Sequence, residues 1–238
     1  LGEIHSDQCT ISFPDNVHYA NQTFVFAVGI QASTGAPSYS NIVENWFLSS
    51  VSLPDGLSLN GTTGVISGIP TRESSVTSYQ IYAQNQAGVV TVSIYIAVFS
   101  PVSIIYPKSS YTLIRDESFS TTPIINGSDP VLSIVGGFLP PGLTFSTSTG
   151  NISGIPIQSV TNHTMTIQAR NIVSTVVTTL TFTVIKPLSQ FFYPQSTYII
   201  ASGSSFSATP SIIGDNPSYS IDTGYLPEGI TLDSYSGT

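Results

Sequence analysis

One segment occurs three times in this chain at nearly constant spacing. Its first copy runs from Leu53 to Pro70 and contains Leu-Pro-x-Gly-Leu followed by Thr-Gly-x-Ile-x-Gly-x-Pro. The second copy starts at Leu139, 86 positions later, and the third starts at Leu226, a further 87 positions along. A pattern that recurs at a fixed interval is the signature of an array of like structural units. The sequence therefore predicts tandem small domains of about 87 residues each.

The residue types of this segment predict a turn followed by a hairpin. Proline fixes φ at the Leu53-Pro54 turn, and Gly56 supplies the positive φ that other residues resist. Leu57 and Leu59 then alternate with a serine, as on a strand with one buried face. The Thr-Gly step that follows predicts a tight turn into a second short strand, which Pro70 ends because proline cannot donate to a strand ladder.

Longer alternating segments follow the first two copies. Residues Tyr79–Asn85 are followed by Val89–Val98, and Met165–Asn171 are followed by Val176–Ile185. Such pairs, joined by short polar turns, predict long antiparallel strands. No window has the 3.6-residue period of an amphipathic helix. About seven strands per unit, separated by turn residues, predict an all-β fold of immunoglobulin-like two-sheet sandwiches.

The prolines before the repeated segment provide an alignment of the three units. Phe13-Pro14, Tyr106-Pro107 and Tyr193-Pro194 each precede a second proline (Pro37, Pro130, Pro217) by the same interval. In this alignment the first unit carries a seven-residue insertion, around residues 41–50, that contains Trp46.

The predicted domains follow from this alignment. Residues 1–100, the first repeat, form an immunoglobulin-like sandwich with an N-terminal extension and the insertion. Residues 101–187, the second repeat, form another sandwich, and residues 188–238, the third repeat, form the first part of a third. The linkers near Pro101 and Pro187 are short and stiffened by proline, which predicts a rod.

The third repeat ends before the segments that follow Gly150 in the second repeat. A sandwich without those strands leaves open sheet edges. We expect it to be completed either by residues beyond Thr238 or by a neighbouring copy that inserts strands, with residues 1–12 as the candidate donor.

Composition excludes several classes of function. Charged residues make up 8% of the chain, against about 25% in a usual globular protein. The net charge is −8 with five Lys and Arg residues, which argues against nucleic-acid binding because that needs a cationic face. No apolar run approaches the roughly 20 residues needed to span a membrane.

The combined motif resembles a known family. The Leu-Pro-x-Gly-Leu and Thr-Gly-x-Ile-x-Gly-x-Pro elements, followed by Ala-x-Asn at Ala83–Asn85 and Ala169–Asn171 and by a long final strand, are similar to the He-PIG immunoglobulin-like repeats. That family is close to the dystroglycan-type cadherin-like repeats. The resemblance implies a surface or secreted protein with an adhesive or structural role.

The spacing of the acidic residues and histidines does not indicate a metal site or a catalytic site. Calcium between such units needs several converging carboxylates, but Asp116 and Glu117 are adjacent and would point to opposite faces of a strand. The histidines His5, His18 and His163 are widely spaced and form no metal-ligand or triad pattern. We therefore expect no catalytic residues, no bound cofactor and no calcium.

Other residues are candidates for modification or contact. Five sequons predict N-linked glycans, at Asn21, Asn60, Asn126, Asn151 and Asn162. The single cysteine, Cys9, is either a buried or free thiol or forms a disulfide with another chain. Trp46 either contacts a partner or packs on its own domain. The aromatic residues Tyr106 and Phe191–Tyr193 either pack inside the fold or form a carbohydrate-binding face.

These observations favour a structural role. The sequence predicts a non-enzymatic subunit of an extracellular filament or surface array that assembles end to end with copies of itself. The alternative is a cell-surface adhesin that recognises a glycan or a partner protein through the first repeat.

Overall fold

The computed structural model describes residues 11–238, which form β-strands joined by turns. No helix occurs in this range, and so none that could cross a membrane. The described residues form two compact units. One holds the chain up to Ile104 with Ile124–Val131 and Ala169–Val176, and the other holds Ile105–Pro123, Leu132–Gln168 and Val177–Thr238.

Residues 11–100, the described part of the first repeat, contain nine strands. They are β1 (Asp15–His18), β2 (Thr23–Ala27), β3 (Ala32–Ser33), β4 (Ser38–Ser40), β5 (Asn45–Leu48), β6 (Leu57–Leu59), β7 (Ile66–Gly68), β8 (Ser74–Asn85) and β9 (Gly88–Phe99). Strands β2, β9, β8 and β5 form a four-stranded sheet in that order, in which β2 runs parallel to β9 and the other pairs are antiparallel. Strands β3, β7 and β6 form a second, antiparallel sheet, and β1 pairs with β4.

The core of the first repeat is made by the inward residues of both sheets. Ile66 of β7 packs in one cluster with Ile81 of β8 and with Ile94 and Ile96 of β9, all fully buried. Alternate residues of a strand point to opposite faces, so this spacing places one side of each long strand inside. Burial of each isoleucine contributes about 1.5–3 kcal/mol.

The second repeat has the same architecture. Its strands are β10 (Ser103–Ile105), β11 (Ser110–Ile114), β12 (Phe119–Thr121), β13 (Ile124–Asn126), β14 (Val131–Gly137), β15 (Leu143–Phe145), β16 (Ile152–Gly154), β17 (Val160–Arg170) and β18 (Thr175–Ile185). The sheet orders β11-β18-β17-β14 and β12-β16-β15, with the pair β10-β13, match those of the first repeat. The predicted all-β fold of tandem immunoglobulin-like sandwiches is confirmed.

The third repeat contributes one strand pair. Strands β19 (Ser189–Phe192) and β20 (Ser211–Ile213) are antiparallel and correspond to β1-β4 and β10-β13. Apolar side chains such as Ile199, Tyr225 and Tyr235 are exposed here. The prediction that further strands cover this region stays a prediction.

The repeated segment folds as predicted. Strands β6 and β7 form an antiparallel hairpin with Leu57 opposite Gly68, as do β15 and β16. Gly56 has a φ of 90°, and a side chain there would collide with the carbonyl oxygen of Ile69. Only glycine allows the turn and the hairpin end to approach this closely.

The predicted seven-residue insertion is wrong. The phenol of Tyr19 donates a hydrogen bond to the Gly64 carbonyl (2.5 Å), as Tyr106 does to Gly150 and Tyr193 to Gly237. Tyr19, and not Phe13, is therefore the counterpart of Tyr106. From these tyrosines to the Leu-Pro turn the repeats differ by one residue, and residues 45–48 form β5 of the sheet rather than an added loop.

The proline alignment failed because proline marks turns of many kinds. Pro37 directly precedes β4, as Pro123 precedes β13 and Pro210 precedes β20. Pro37 therefore corresponds to Pro123 and Pro210, and not to Pro130 and Pro217 as predicted.

Candidate functional site

A tyrosine hydrogen bond closes each repeat. Tyr19 and Tyr106 are buried, and burial raises the pKa of both phenols above the ordinary value. The phenol therefore stays protonated and remains a hydrogen-bond donor to the turn carbonyl. A buried carbonyl with its partner present avoids a desolvation penalty of about 1–3 kcal/mol. Each bond thus connects the residue after β1 or β10 to the turn before β7 or β16.

The asparagine of the Ala-x-Asn element forms the second closure. The Asn85 amide donates to the carbonyl oxygens of Ser12 (2.7 Å) and Ile42 (2.9 Å), and its oxygen accepts from the N–H groups of Ala87 (2.9 Å) and Gly88 (3.2 Å). All of these bonds connect the side chain to main-chain groups, so the residue anchors three loops at once.

Asn171 repeats this arrangement in the second sandwich. Its amide donates to Ser100 (2.8 Å) and Ser128 (2.9 Å), and its oxygen accepts from Val173 and Ser174. Asn171 is half-buried, and its amide hydrogens and its oxygen are all bonded to main-chain groups.

The histidines and acidic residues are dispersed. Within residues 11–238, no three His, Cys, Asp or Glu side chains lie close enough to hold a metal ion. A ring nitrogen of His18 lies 2.7 Å from the Asn16 carbonyl oxygen, and one of His163 lies 2.7 Å from that of Phe138. His5 and Cys9 lie outside the described residues.

The sequons differ in their accessibility. Asn21, Asn60, Asn126 and Asn162 are exposed. Asn151 is half-buried, and its oxygen accepts hydrogen bonds from Ser120 (3.2 Å) and Thr122 (3.4 Å). A transferase therefore meets four exposed acceptor residues and one that is half-buried.

Trp46 lies in the core. It is only 3% exposed, stands on β5 opposite Ala83, and its ring lies 5.7 Å from that of Tyr39. Its Nε1 has no hydrogen-bond acceptor among the described residues. A buried indole has almost no surface to offer a partner, so of the two alternatives that the sequence left open, Trp46 packs on its own domain.

The next residue along β5 is the more individual surface feature. Phe47 is 40% exposed on the outer face of the four-stranded sheet and stacks on Tyr82 of β8, with ring centroids 5.1 Å apart and planes 17° apart. Alternation along β5 could have identified it, since burial of Trp46 forces Phe47 outwards. The corresponding residues of the second repeat, by the 86-residue spacing, are Ser133 and Gln168.

The outer face of β5 and β8 combines an aromatic pair with amides. The exposed side chains of Asn45, Gln80 and Gln84 surround the aromatic pair. One face of each ring lies against the other ring. We call Phe47, Tyr82 and these three amides the outer aromatic face.

The aromatic residues around β19 do not form one surface. Tyr106 is buried, whereas Phe191 and Phe192 are exposed. The Phe191 ring lies 5.7 Å from that of Tyr193 and 5.8 Å from that of Tyr219. These rings line a cleft of about 1770 Å³ within the third repeat. Tyr106 thus packs inside the fold, while Phe191 lines the cleft.

The strand order and the repeated closures define a tandem immunoglobulin-like β-sandwich protein. The family described as "Putative Ig domain" matches twice, at residues 9–100 and 96–185. These matches cover more than half of the chain, so the chain belongs to this family, the He-PIG immunoglobulin-like domains. No curated protein matches the chain.

Solved structures with similar folds are also arrays of immunoglobulin domains. A three-domain fragment from the I-band of titin is 14% identical with a TM-score of 0.51, and the likeness covers 94% of this chain and 84% of that one. An E-to-A variant of the same titin domains is 15% identical with the same score and coverage. The four N-terminal domains of Dscam1 are 11% identical, with a TM-score of 0.45 over 74% of this chain and 47% of that one. At these identities the likeness shows the fold alone.

Proposed function

We propose that this protein is a non-enzymatic structural subunit of an extracellular filament or surface array built from tandem immunoglobulin-like repeats. The observation that carries the proposal is the recurrence of one closed sandwich at a spacing of 86–87 residues. Each sandwich is sealed by its own tyrosine and, in the first two repeats, by its own asparagine. Modules that close independently can be placed in series without redesign of each core.

The surface chemistry supports an extracellular location. Only 8% of the residues are charged, and exposed Ser, Thr, Asn and Gln provide the polar surface in their place. Four of the five sequon asparagines are exposed, where a glycan is tolerated. We infer a secreted or cell-surface glycoprotein without a resident cofactor or calcium.

The partner in this proposal is a second copy of the chain, joined end to end. The alternative function is a cell-surface adhesin, and the outer aromatic face favours it. That face is present in the first repeat and is replaced by serine and glutamine in the second. Its rings offer apolar contact and its amides offer hydrogen bonds, which suit a glycan or a partner protein.

Sedimentation velocity over a concentration series tests the proposal and separates it from the alternative. The natural chain is compared with the double variant Phe47→Ser, Tyr82→Gln, which copies the second repeat at these positions. The structural role predicts concentration-dependent growth of both proteins, because the outer aromatic face is a side surface. A chain that stays monomeric at all concentrations would contradict it. Concentration-dependent association that is lost only in the variant would instead support the adhesin function through the outer aromatic face.

A further inference from the structure

A chain of hydrogen bonds holds the peptide that leads from the first repeat to the second. The Ser128 hydroxyl donates to a carboxylate oxygen of Glu73 (2.7 Å). The same oxygen of Ser128 accepts from the main-chain N–H of Ser100 (2.8 Å). Glu73 follows β7, Ser100 follows β9 and Ser128 follows β13, so three separate segments meet at one point. All three residues belong to the same compact unit.

The peptide that leads from the second repeat to the third is held by a similar group. One carboxylate oxygen of Asp215 accepts from the Ser159 hydroxyl (2.5 Å) and from the main-chain N–H of Lys186 (2.6 Å). Ser159 follows β16, Lys186 follows β18 and Asp215 follows β20. These three residues also lie together within one compact unit.

The two groups occupy equivalent positions with their side chains exchanged. Ser159 stands 86 residues after Glu73, and Lys186 stands 86 residues after Ser100. Asp215 stands 87 residues after Ser128. The acid therefore comes from the earlier repeat in the first group and from the later repeat in the second. In both groups a serine hydroxyl donates to a carboxylate. The N–H of the linker residue, Ser100 or Lys186, donates to the side chain from the later repeat, Ser128 or Asp215.

The main chain strengthens each group. The Ser128 N–H donates to the Ser100 carbonyl (3.2 Å), and the Asp215 N–H donates to the Lys186 carbonyl (3.0 Å). The linker residue is thus bonded through both its N–H and its C=O. Gly127 and Gly214 precede the bonded residues with φ values of 105° and 133°, where a side chain would collide with the linker backbone. The turn is shaped for close approach to the linker.

We propose that these groups are clasps that immobilise the peptide between consecutive repeats, and that a clasp requires one carboxylate and one hydroxyl in either order. The Glu73 position holds serine in the next repeat and the Ser128 position holds aspartate, yet the carboxylate–hydroxyl bond and the bond to the linker N–H are both kept. This indicates that the bond pattern itself is needed. The carboxylate matters because a hydrogen bond to a charged acceptor is stronger than one between neutral groups. This inference does not depend on whether the protein forms filaments.

Amide hydrogen exchange of the full chain, produced in bacteria without glycans, tests the clasp. Bacterial material is needed because Ser128 also completes the sequon of Asn126. Ser128→Ala is expected to speed exchange of the Ser100 amide roughly tenfold, as loss of one hydrogen bond predicts. Ser159→Ala should have a smaller effect at Lys186, because Asp215 still accepts that N–H. Glu44→Gln, which changes an exposed acid of β4–β5 with no side-chain bond, is the matched control.

A double variant that exchanges the acid and the hydroxyl of the first clasp gives the sharpest test. Glu73→Ser combined with Ser128→Asp copies the second clasp into the first, and it is expected to restore slow exchange at Ser100. Unchanged exchange in Ser128→Ala, or failure of the double variant while the amides of β8 stay protected, would overturn the proposal. If Ser128→Ala does not fold, Asp215→Ala at the second clasp removes the acceptor of the Lys186 N–H and provides the same test there.

Discussion

Glu73 and Ser159 stand at the same position of consecutive repeats and play opposite parts in the hydrogen bond that each makes. Glu73 accepts from Ser128, whereas Ser159 donates to Asp215. Hydrogen bonds from the Ser100 and Ser128 side chains lower the pKa of Glu73, and those from Ser159 and the Lys186 N–H lower the pKa of Asp215. Both carboxylates are thus tuned to stay charged in the folded chain.

Acid should weaken both clasps. The folded-state pKa of each carboxyl is lowered, so each charged carboxylate stabilises the folded chain. This stabilisation is complete above the unfolded pKa values, about 4.3 for Glu and 3.9 for Asp, and it is lost as pH falls through the folded-state pKa values. Arg115 and Lys186 are the cations that act on Asp215, and Arg72 precedes Glu73 in the chain.

The comparison protein for this prediction is the double variant Glu73→Gln, Asp215→Asn. The natural chain should melt at a higher temperature than the variant at pH 7, and the difference should shrink as pH falls below the unfolded values of about 4. Asp233, whose pKa is lowered by the backbone N–H groups of Ser236 and Tyr235, titrates in both proteins and cancels. A difference that does not change with pH would contradict the role of the charged carboxylates.

Removal of one phenolic hydroxyl should destabilise the first repeat. Tyr19→Phe leaves the Gly64 carbonyl without its partner, and we expect a loss of about 1–3 kcal/mol in the free energy of unfolding. Urea denaturation measures it. Tyr82→Phe, which removes an exposed hydroxyl with a 3.4 Å contact to Gln80, should change it by less than about 0.5 kcal/mol. Equal effects of the two changes would be inconsistent with a buried closure.

Trp46 should affect stability and not association. Trp46→Ala is expected to cost about 3–5 kcal/mol, because it opens a cavity in the core. Trp46→Leu should cost less, since Leu132 fills the equivalent buried position of the second repeat. Urea denaturation compares the two, with sedimentation as the second readout. A stable Trp46→Ala variant with impaired association would restore the partner-contact hypothesis.

Glycan occupancy should follow accessibility. Intact-mass measurement of secreted material before and after glycosidase treatment should show mass loss, and peptide mapping should find Asn151 less occupied than Asn21, Asn60, Asn126 and Asn162. The reason is that Asn151 is half-buried, whereas the other four asparagines are exposed. A mass equal to that of the bare chain would refute the extracellular glycoprotein proposal.

Cys9 gives a prediction that rests on sequence alone. If it forms the disulfide to another chain, non-reducing electrophoresis will show a dimer that a reductant or Cys9→Ser removes. A single monomer band together with a titratable thiol would establish the free-cysteine alternative.

The fold was predictable where residue type and spacing repeat together. The Leu-Pro turn, the hairpin and the long strands β8 and β9 each have local signals, so their order could be derived from the sequence. The register before Leu53 was not predictable from prolines, since Pro14 and Pro107 occupy different structural positions. Only the shared bond partner of Tyr19 and Tyr106 reveals the correct match.

The clasps were hidden for a different reason. The position of Glu73 holds serine in the next repeat and that of Ser128 holds aspartate, so comparison of the repeats shows no shared residue type. Their partners are also 55 and 56 residues apart in the chain. The equivalence of the two clasps is seen only when the hydrogen bonds of the two repeats are compared, and not when their residue types are.

Electron microscopy of the full chain tests the proposed structural role most directly. Negatively stained material at increasing protein concentration, reduced and unreduced, would be imaged beside the Phe47→Ser, Tyr82→Gln variant. The account predicts fibres or ordered arrays in the natural chain and in the variant alike, growing with concentration. Isolated particles of monomer size at every concentration, in both redox conditions, would contradict it.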